Sequence, residues 1–327
     1  MIQISTFDSL RGKMNGKKTI SVVTPCYNEE ENVEALAVKI KEIFDQKLVN
    51  YEREHIFIDN CSTDSTLRLL NELASKDHRV KIIANSRNFG HIRSPYYGLL
   101  QSTGDCAILM ASDFQDPPEN MVDLVQKWEQ GNEIVLAIKN ESHESPSMFF
   151  IRKIYYDLIN RLSEIPLAKN YTGFGLYDSK IINLLKQIPD PYPYFRGLIL
   201  ELGFKTDRIY FTQPIRKRGI TKNNFFTLYD MAMLGICTHS KIPLRIATIS
   251  GFVFSLLFFI GAVFYFLMKL IFWNHLPLGQ APLLFGLFLF ASLNLLFIGI
   301  IGEYVGWIFT KVSNRPLVIE KYRTNFV

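Results

Sequence analysis

The sequence has few cysteines, four among 327 residues, and none of them stands in the CxxC spacing typical of zinc sites and redox motifs. No histidine cluster accompanies them. This scarcity argues against a disulfide framework and against a zinc site, and it predicts reduced thiols that face the cytosol. The net charge of +5 is too small to indicate a nucleic-acid partner, so none is expected.

An apolar run is also missing from the first 18 residues. We therefore expect no signal peptide, and we interpret residues 1–18 as a flexible extension. Charge, in turn, is nearly absent from residues 246–309. Residues 246–273 contain a single charge, Lys269, and residues 282–309 contain only Glu303. Each stretch exceeds the roughly 20 residues that cross a bilayer, which predicts two transmembrane helices within residues 244–311.

The charges that flank these stretches predict their orientation. The linker between them is uncharged apart from His275, whereas basic residues precede the first stretch and follow the second: Lys241, Arg245, Lys311, Arg315, Lys321 and Arg323. The positive-inside rule then places both termini in the cytoplasm, with residues 312–327 as a cytoplasmic tail. The expected location is the inner membrane, as a multi-pass protein whose soluble domain faces the cytoplasm. Glu303 either pairs with a basic neighbour or reaches the interface.

Residues 20–137 alternate short β-rich runs with helical patterns. This alternation predicts that residues 19–224 form an α/β domain with a mostly parallel, doubly wound, Rossmann-like sheet. The expected strands are 20–24, 55–59, 80–84, 106–110 and 133–137. The expected helices are 30–46, 65–75, 93–102 and 119–130. Ligands of such sheets bind at the carboxyl ends of the strands.

Polar residues follow three of these strands. The run PCYNEE begins at Pro25, DNCSTD begins at Asp59, and ASDFQDPPE begins at Ala111. Strand-end carboxylates bind hydroxyl and N–H groups, and a carboxylate beside a diphosphate holds a divalent cation. Each run alone is equally typical of turns and helix caps, and Asp64 is most simply a cap. Three runs at successive strand ends favour a ligand site.

Together with these runs, further motifs give a pattern that resembles glycosyltransferase family 2 with the GT-A fold. It is most similar to polyprenyl-phosphate glycosyltransferases, such as dolichol-phosphate mannose synthase and the bactoprenol glucosyltransferases. The resemblance covers about residues 20–325. Its further motifs are NFG at 88–90, QDPPE at 115–119, FRG at 195–197, GITK at 219–222, GEY at 302–304 and RP at 315–316.

The resemblance implies roles for the strand-end residues. It assigns the nucleotide to Asp59, to Asp113 and to the first run, namely Pro25, Tyr27, Asn28 and Glu29. It assigns a Mg²⁺ or Mn²⁺ ion to Asp113 and Gln115. The family's DxD motif is incomplete, because Ala111 stands in place of its first aspartate. We therefore expect a weakened metal site, in which phosphate oxygens and water complete the coordination.

A second departure concerns residues 170–176, where relatives carry a Gly-Asp-Phe-Arg type of run. Gly173 stands at the aspartate position and Gly175 at the arginine position, so no catalytic base is carried over. A phosphate acceptor tolerates this loss, because its second pKa of about 6 already makes it a nucleophilic dianion. Basic residues are needed to hold it. Arg196, Arg216 and Lys222 are the candidates, and Asp113, Arg196 and Lys222 are the expected catalytic residues.

Residues 225–243 have apolar residues at helical spacing. This pattern predicts either an amphipathic helix at the membrane interface, which would deliver the lipid phosphate, or an ordinary helix that packs on the soluble domain. Both alternatives stay open.

The expected reaction is an inverting transfer of a hexose from a UDP-linked donor to a polyprenyl phosphate, in the synthesis of a cell-envelope polysaccharide. The resemblance also implies a homo-oligomer, a tetramer in related enzymes. One rival is a glycan synthase with another acceptor, although processive polysaccharide synthases usually carry more spans and a QxxRW motif. Another is a membrane protein derived from a transferase, either non-catalytic or with altered specificity.

Overall fold

The structure is a computed structural model that describes residues 16–140, 168, 170–214, 233–234, 237, 240, 242–271 and 280–326. The chain divides into two compact units. The first consists of Met1–Met148, Ala168–Lys222 and Arg315–Val327, and the second of Phe149–Leu167 and Asn223–Asn314. Each unit is described by itself.

The first unit contains eight described strands, which form one sheet. They are β1 (Lys18–Cys26), β2 (Tyr51–Asp59), β3 (Val80–Asn85), β4 (Cys106–Leu109), β5 (Ile134–Lys139), β6 (Tyr171–Asp178), β7 (Thr206–Phe211) and β8 (Glu320–Thr324). The helices of this unit are α1 (Val33–Gln46), α2 (Thr66–Lys76), α3 (Gly90–Leu100), α4 (Met121–Glu129), α5 (Ser179–Lys186) and α6 (Phe195–Glu201). A single 3₁₀ turn, Pro118–Asn120, precedes α4.

The strand order in the sheet is β7-β5-β6-β4-β1-β2-β3-β8. Strand β1 pairs in parallel with β2 and with β4, and β2 pairs in parallel with β3. Strands β6 and β8 run antiparallel to their neighbours. Because β1, β2 and β4 are parallel and adjacent, the residues that follow them meet at one edge of the sheet.

The sheet is covered on both faces, as expected for strands that are apolar almost throughout. Val22 and Val23 are successive residues of β1, so their side chains point to opposite faces. Val22 packs in a cluster with α1 and α4, whereas Val23 packs in a cluster with α3, α5 and α6. Helix α2 packs with α1 against β2 and β3. This layering confirms the predicted doubly wound α/β fold.

All five predicted strands are present, and the predicted helices are present with shifted starts. The first helix begins at Val33 rather than at residue 30, because the backbone N–H of Asn32 bonds to the carbonyl of Glu29 in a turn. Strands β6 and β7 were not predicted. Neither was β8, whose residues the sequence predicted to be part of a tail.

Strand β8 adds to the free edge of β3, with Thr324 opposite Ile82. Side chains secure it there. Asn71 donates to the Tyr322 hydroxyl at 2.8 Å, and Asn325 donates at 2.8 Å each to the carbonyls of Ala74 in α2 and Val80 in β3. The end of the chain is therefore an edge strand of the sheet that carries the predicted site.

The second unit contains two long helices, α7 (Ile242–Ile271) and α8 (Gln280–Val312). Each includes a stretch of 27 residues that is apolar and long enough to cross a membrane, Ile242–Met268 and Gly286–Val312, and the most apolar window of each stretch is not buried. This exposure fits membrane association. The predicted interfacial helix, residues 225–243, lies largely outside the described residues.

Candidate functional site

The loops that follow β1 and β2 are bound to each other. Asn28 has a positive φ of 55°, which turns the chain after β1. Its backbone N–H donates to the Ser62 hydroxyl at 2.9 Å, and its side-chain oxygen accepts from the Thr63 N–H at 2.8 Å. The Glu29 N–H donates to the Thr66 hydroxyl at 2.8 Å. Asn28, predicted to bind the nucleotide, thus holds together the two loops that would surround it.

The other predicted residues of the first run lie beside this junction. Pro25 is half-buried near the end of β1, opposite Ile58 of β2. Tyr27 and Glu29 are also half-buried, and one Glu29 carboxylate oxygen accepts from the Asn32 side chain at 2.7 Å. The run therefore lies on one side of the sheet edge at which β1, β2 and β4 end.

Asp59 ends β2 and is completely buried. One carboxylate oxygen, Oδ2, accepts from the Ser62 N–H at 3.1 Å. The other, Oδ1, is buried and has no hydrogen-bond partner in the described part of the chain. Burial raises the pKa of this carboxyl, and the hydrogen bonds from Ser62 oppose the change. A buried acceptor without a partner is costly, so this oxygen is suited to an N–H or O–H donor of a ligand.

A polar network fixes the neighbouring loop, residues 85–90. The Asn60 side-chain oxygen accepts from Asn85 at 3.1 Å and from the Phe89 N–H at 2.9 Å, and its amide donates to the Asn88 side chain at 2.9 Å. Reasoning from the sequence did not select Asn60. Two features of the sequence could have indicated it: its position directly after Asp59, and the NFG motif, whose Asn88 and Phe89 are hydrogen-bonded to Asn60.

The predicted metal residues lie in a tight loop after β4. The buried Asp116 carboxylate accepts from the Ala111 N–H at 2.9 Å and so closes the loop, while Phe114 has a positive φ of 58°. Asp113 accepts from the Gln115 N–H at 3.2 Å. Burial raises the pKa of Asp116 to about 6. Asp116 was not among the predicted site residues, and its part in the QDPPE motif is to shape the loop that presents Asp113.

The donors in this loop suit a divalent cation only when phosphate is present. The described residues contain no group of three or more His, Cys, Asp or Glu side chains that would hold a metal ion by themselves. Asp113 and Gln115 supply one carboxylate and one amide. Mg²⁺ typically binds proteins through one or two carboxylates together with substrate phosphates and water. The two residues therefore fit a cation that a diphosphate brings with it.

Of the predicted basic residues, Arg196 is described and Arg216 and Lys222 lie outside the described residues. Arg196 is half-buried in α6 and donates to the Tyr171 carbonyl at 3.5 Å. Burial lowers the pKa of His91 at the start of α3, and the positive charge of Arg196 lowers it further. Arg196 therefore lies beside the helix that follows the 85–90 loop.

Backbone geometry accounts for the two glycines in β6. Gly173 has φ +108°, which L side chains rarely adopt, and its carbonyl accepts from the Tyr177 hydroxyl at 2.7 Å. A Cβ atom on Gly175 would stand 2.6 Å from the Val135 carbonyl oxygen. The acidic and basic side chains that the family resemblance led us to expect here would not fit this backbone without rearrangement.

Comparisons with known proteins agree with this architecture. The family model for glycosyl transferase family 2 matches residues 21–185. An uncharacterized glycosyltransferase of Synechocystis sp. is 33% identical over 92% of this chain and 94% of its own length. The SfII prophage-derived bactoprenol glucosyl transferase of Shigella flexneri is 34% identical over 92% of this chain and 97% of its own.

These matches extend over both units, so they include the apolar helices as well as the sheet. They confirm the predicted enzyme class, and they agree with the predicted resemblance to polyprenyl-phosphate hexosyltransferases. The family model spans the three strand-end runs and ends within α5, so the buried Asp59 and the Asp113 loop lie inside it. The chain belongs to glycosyltransferase family 2.

Proposed function

We propose that the chain transfers a hexose from a UDP-linked donor to a polyprenyl phosphate, with inversion at the anomeric carbon. The transfer takes place at the cytoplasmic face of the membrane. The observation that carries the proposal is the buried Asp59 carboxylate with one oxygen that lacks a partner. A relative named a bactoprenol glucosyl transferase supports a prenyl lipid acceptor.

Asp59 would hold the base of the nucleotide. Uracil carries an imide N–H, a donor that would satisfy the Asp59 Oδ1 atom. An ionised acceptor gives a stronger hydrogen bond than a neutral one, and burial increases the difference. The half-buried run with Pro25, Tyr27 and Glu29 lies across the same edge and would enclose the base and the ribose.

Asp113 and Gln115 would hold the diphosphate end of the donor through a divalent cation, Mg²⁺ or Mn²⁺. Such an ion stabilises the negative charge that develops on the leaving nucleoside diphosphate. The closed loop from Ala111 to Asp116 keeps Asp113 in place, since the Asp116 carboxylate is itself bonded to the Ala111 N–H.

The acceptor phosphate would act as the nucleophile without a protein base. One of its oxygens forms a bond to the anomeric carbon while the bond from that carbon to the donor phosphate breaks, and no proton must be removed. A dianion at neutral pH is sufficient for this step. Arg196 is proposed to hold the acceptor phosphate and to reduce its repulsion from the donor, together with Arg216 and Lys222.

Membrane attachment suits a lipid acceptor. The basic residues around both apolar helices support an orientation with both termini in the cytoplasm. The strand-end site would then face the nucleotide sugars of the cytoplasm. Assembly into a homo-oligomer, a tetramer in related enzymes, stays a prediction.

The direct test is transfer by the purified full-length chain. The protein is incubated with a polyprenyl phosphate, Mg²⁺ and one radiolabelled nucleotide sugar at a time, including UDP-glucose and GDP-mannose. We expect label from a UDP-hexose in the lipid fraction. We expect none with Asp113→Asn, while the matched Asp45→Asn variant, which changes an exposed carboxylate of α1, retains full transfer. Transfer by Asp113→Asn at the rate of the unchanged protein would refute the assignment of Asp113.

A non-catalytic descendant of a transferase is the second candidate, and the loss of an acidic side chain at both Ala111 and Gly173 favours it. Measurement of UDP binding, followed by measurement of sugar transfer, distinguishes this candidate from the active transferase. If UDP and Mg²⁺ bind but no nucleotide sugar labels the lipid fraction, the proposed acceptor or the proposed transfer activity is wrong. If UDP does not bind at all, the scaffold is supported instead.

A further inference from the structure

Three arginines meet at the loop between β3 and α3. The Arg87 guanidinium lies 4.1 Å from the centre of the Phe89 ring, and that of Arg93 lies 5.3 Å from the same ring. The segment after α8 joins them, because Arg93 donates to the Pro316 carbonyl and the charge of Arg315 acts on Arg93. We call Arg87, Arg93 and Arg315 the arginine cluster.

The positive charge of this cluster is not neutralised within the described part of the chain. The hydrogen bonds found for Arg87 and Arg93 go to backbone carbonyls, those of Asn88 and Pro316, and among the described residues no carboxylate pairs with any of the three. The Arg93 Nε atom is buried and has no hydrogen-bond partner among the residues that the structure describes. Burial lowers the pKa of Arg93, and the charges of Arg87 and Arg315 lower it further.

Such an arrangement is unfavourable by itself and becomes favourable when an anion binds. Like charges at short range repel, and a buried N–H without a partner carries a desolvation cost. The planar guanidinium matches the oxygens of a phosphate group, to which it donates two parallel hydrogen bonds. Phe89 is buried beneath two of the guanidiniums and keeps them oriented.

The position of Arg315 in the chain indicates where the phosphate comes from. Arg315 follows Val312, the last residue of the second apolar stretch, by three residues. Residues this close to the end of a spanning helix lie in the headgroup layer, where anionic lipids attract arginine and lysine. Arg315 and Arg87 are both exposed, so a headgroup has access to them.

We propose that the arginine cluster binds the phosphate of an anionic membrane lipid headgroup. The cluster consists of residues other than Asp59, Asp113 and Arg196, to which the proposed function assigns the donor and the acceptor phosphate. Binding would hold the β3–α3 loop and the segment after α8 against the bilayer surface. The stability of the protein would then depend on anionic lipid.

The test uses the full-length protein in a nonionic detergent. Its melting temperature is followed during titration with phosphatidylglycerol, with phosphatidylcholine, with inorganic phosphate and with UDP plus Mg²⁺. The variants are Arg87→Gln and Arg315→Gln. The matched control is Arg79→Gln, an exposed arginine of the preceding loop that pairs with Glu52 at 3.6 Å. Without lipid, neither cluster variant should melt lower than the unchanged protein, because each loses one of three like charges.

We expect phosphatidylglycerol to stabilise the protein and phosphatidylcholine to do so much less. The phosphatidylglycerol concentration that gives half of the effect should rise about tenfold in each cluster variant, the loss expected for one charged hydrogen bond. It should not change in Arg79→Gln. The effect should weaken near 1 M salt, where the screening length falls to roughly 3 Å.

Three results would overturn the proposal. Equal phosphatidylglycerol titrations for the unchanged protein and both cluster variants would show that the cluster binds no lipid. An equal effect of inorganic phosphate, lost in the variants, would make it a site for soluble phosphate. Loss of the UDP effect in the variants would place the cluster in the donor site.

Discussion

Replacement of Asp59 by asparagine separates the binding role of this residue from its role in the fold. Asparagine has nearly the same shape, and its oxygen can keep the hydrogen bond from the Ser62 N–H, 3.1 Å in length. The atom at the position of Oδ1 then becomes an amide group. Oδ1 is the buried oxygen without a partner, so the change replaces an acceptor by a donor where a ligand N–H is expected.

The size of the effect follows from the lost hydrogen bond. A hydrogen bond to a charged group contributes about 1.5–3 kcal/mol, which corresponds to a dissociation constant for UDP that is roughly 10- to 150-fold higher. The free energy of unfolding, in contrast, should rise or stay the same. Burial raises the pKa of Asp59, so the ionised carboxylate is less favourable in the folded protein than in the unfolded chain at neutral pH. A neutral amide removes this cost.

The assay is isothermal titration of the purified full-length enzyme with UDP and Mg²⁺, paired with a thermal melt of the same samples. Asp45→Asn is the control, because it removes the same charge from an exposed position of α1. We expect weak UDP binding and an unchanged or higher melting temperature for Asp59→Asn, and no change in either measurement for the control.

Two results would refute this reasoning. If UDP binds Asp59→Asn within about twofold of the unchanged enzyme, a difference below 0.5 kcal/mol, Asp59 does not receive a hydrogen bond from the base. If the variant melts far below the control, the carboxylate is part of the fold, and its unpaired oxygen has no bearing on the ligand.

Three further predictions concern stability. Gly175→Ala places a Cβ atom 2.6 Å from the Val135 carbonyl oxygen and should destabilise the enzyme by about 1–3 kcal/mol, measured by thermal melting. Asn325→Ala removes two hydrogen bonds of 2.8 Å and puts alanine at φ 63°, so it should cost about 2–4 kcal/mol and release β8, measured by protease sensitivity of the C-terminus. Burial lowers the pKa of His55, so this side chain stays neutral in the folded protein while the unfolded chain takes up a proton as the pH falls. The free energy of unfolding should therefore decrease below about pH 6.5, by up to about 1.4 kcal/mol per pH unit. His55→Gln keeps a partner for Thr24 and should reduce this slope in melts between about pH 4.5 and pH 7.5.

Each of these predictions can fail in a specific way. A Gly175→Ala enzyme that melts like the unchanged one would mean that β5 and β6 separate easily. A C-terminus equally resistant to protease in Asn325→Ala would mean that the backbone pairing of β8 suffices. A pH slope unchanged by His55→Gln would mean that other groups cause the loss of stability in acid.

Much of the sheet could be predicted because its central strands are apolar and buried on both faces. Runs such as 20–24 and 55–59 are visible without knowledge of their neighbours, and the parallel order explains why the polar residues after them meet. Asp59 and Asp113 were selected by this reasoning, and their roles stay predictions. Strand β8 was not, because the sequence EKYRT is mostly polar and is extended only through its pairing with β3.

The sequence by itself determined the class of protein: an α/β domain of glycosyltransferase family 2, with strand-end carboxylates and two apolar helices. These features depend on local periodicity and on motifs a few residues long. Only the tertiary structure decided that one oxygen of Asp59 lacks a partner, that Asp116 closes the Asp113 loop, and that Gly175 has no space for a side chain. Only the tertiary structure, likewise, brings Arg315 to Arg93 from the far end of the chain. Burial, collision and unpaired charge are properties of contacts between distant residues, and such contacts exist only in the folded chain.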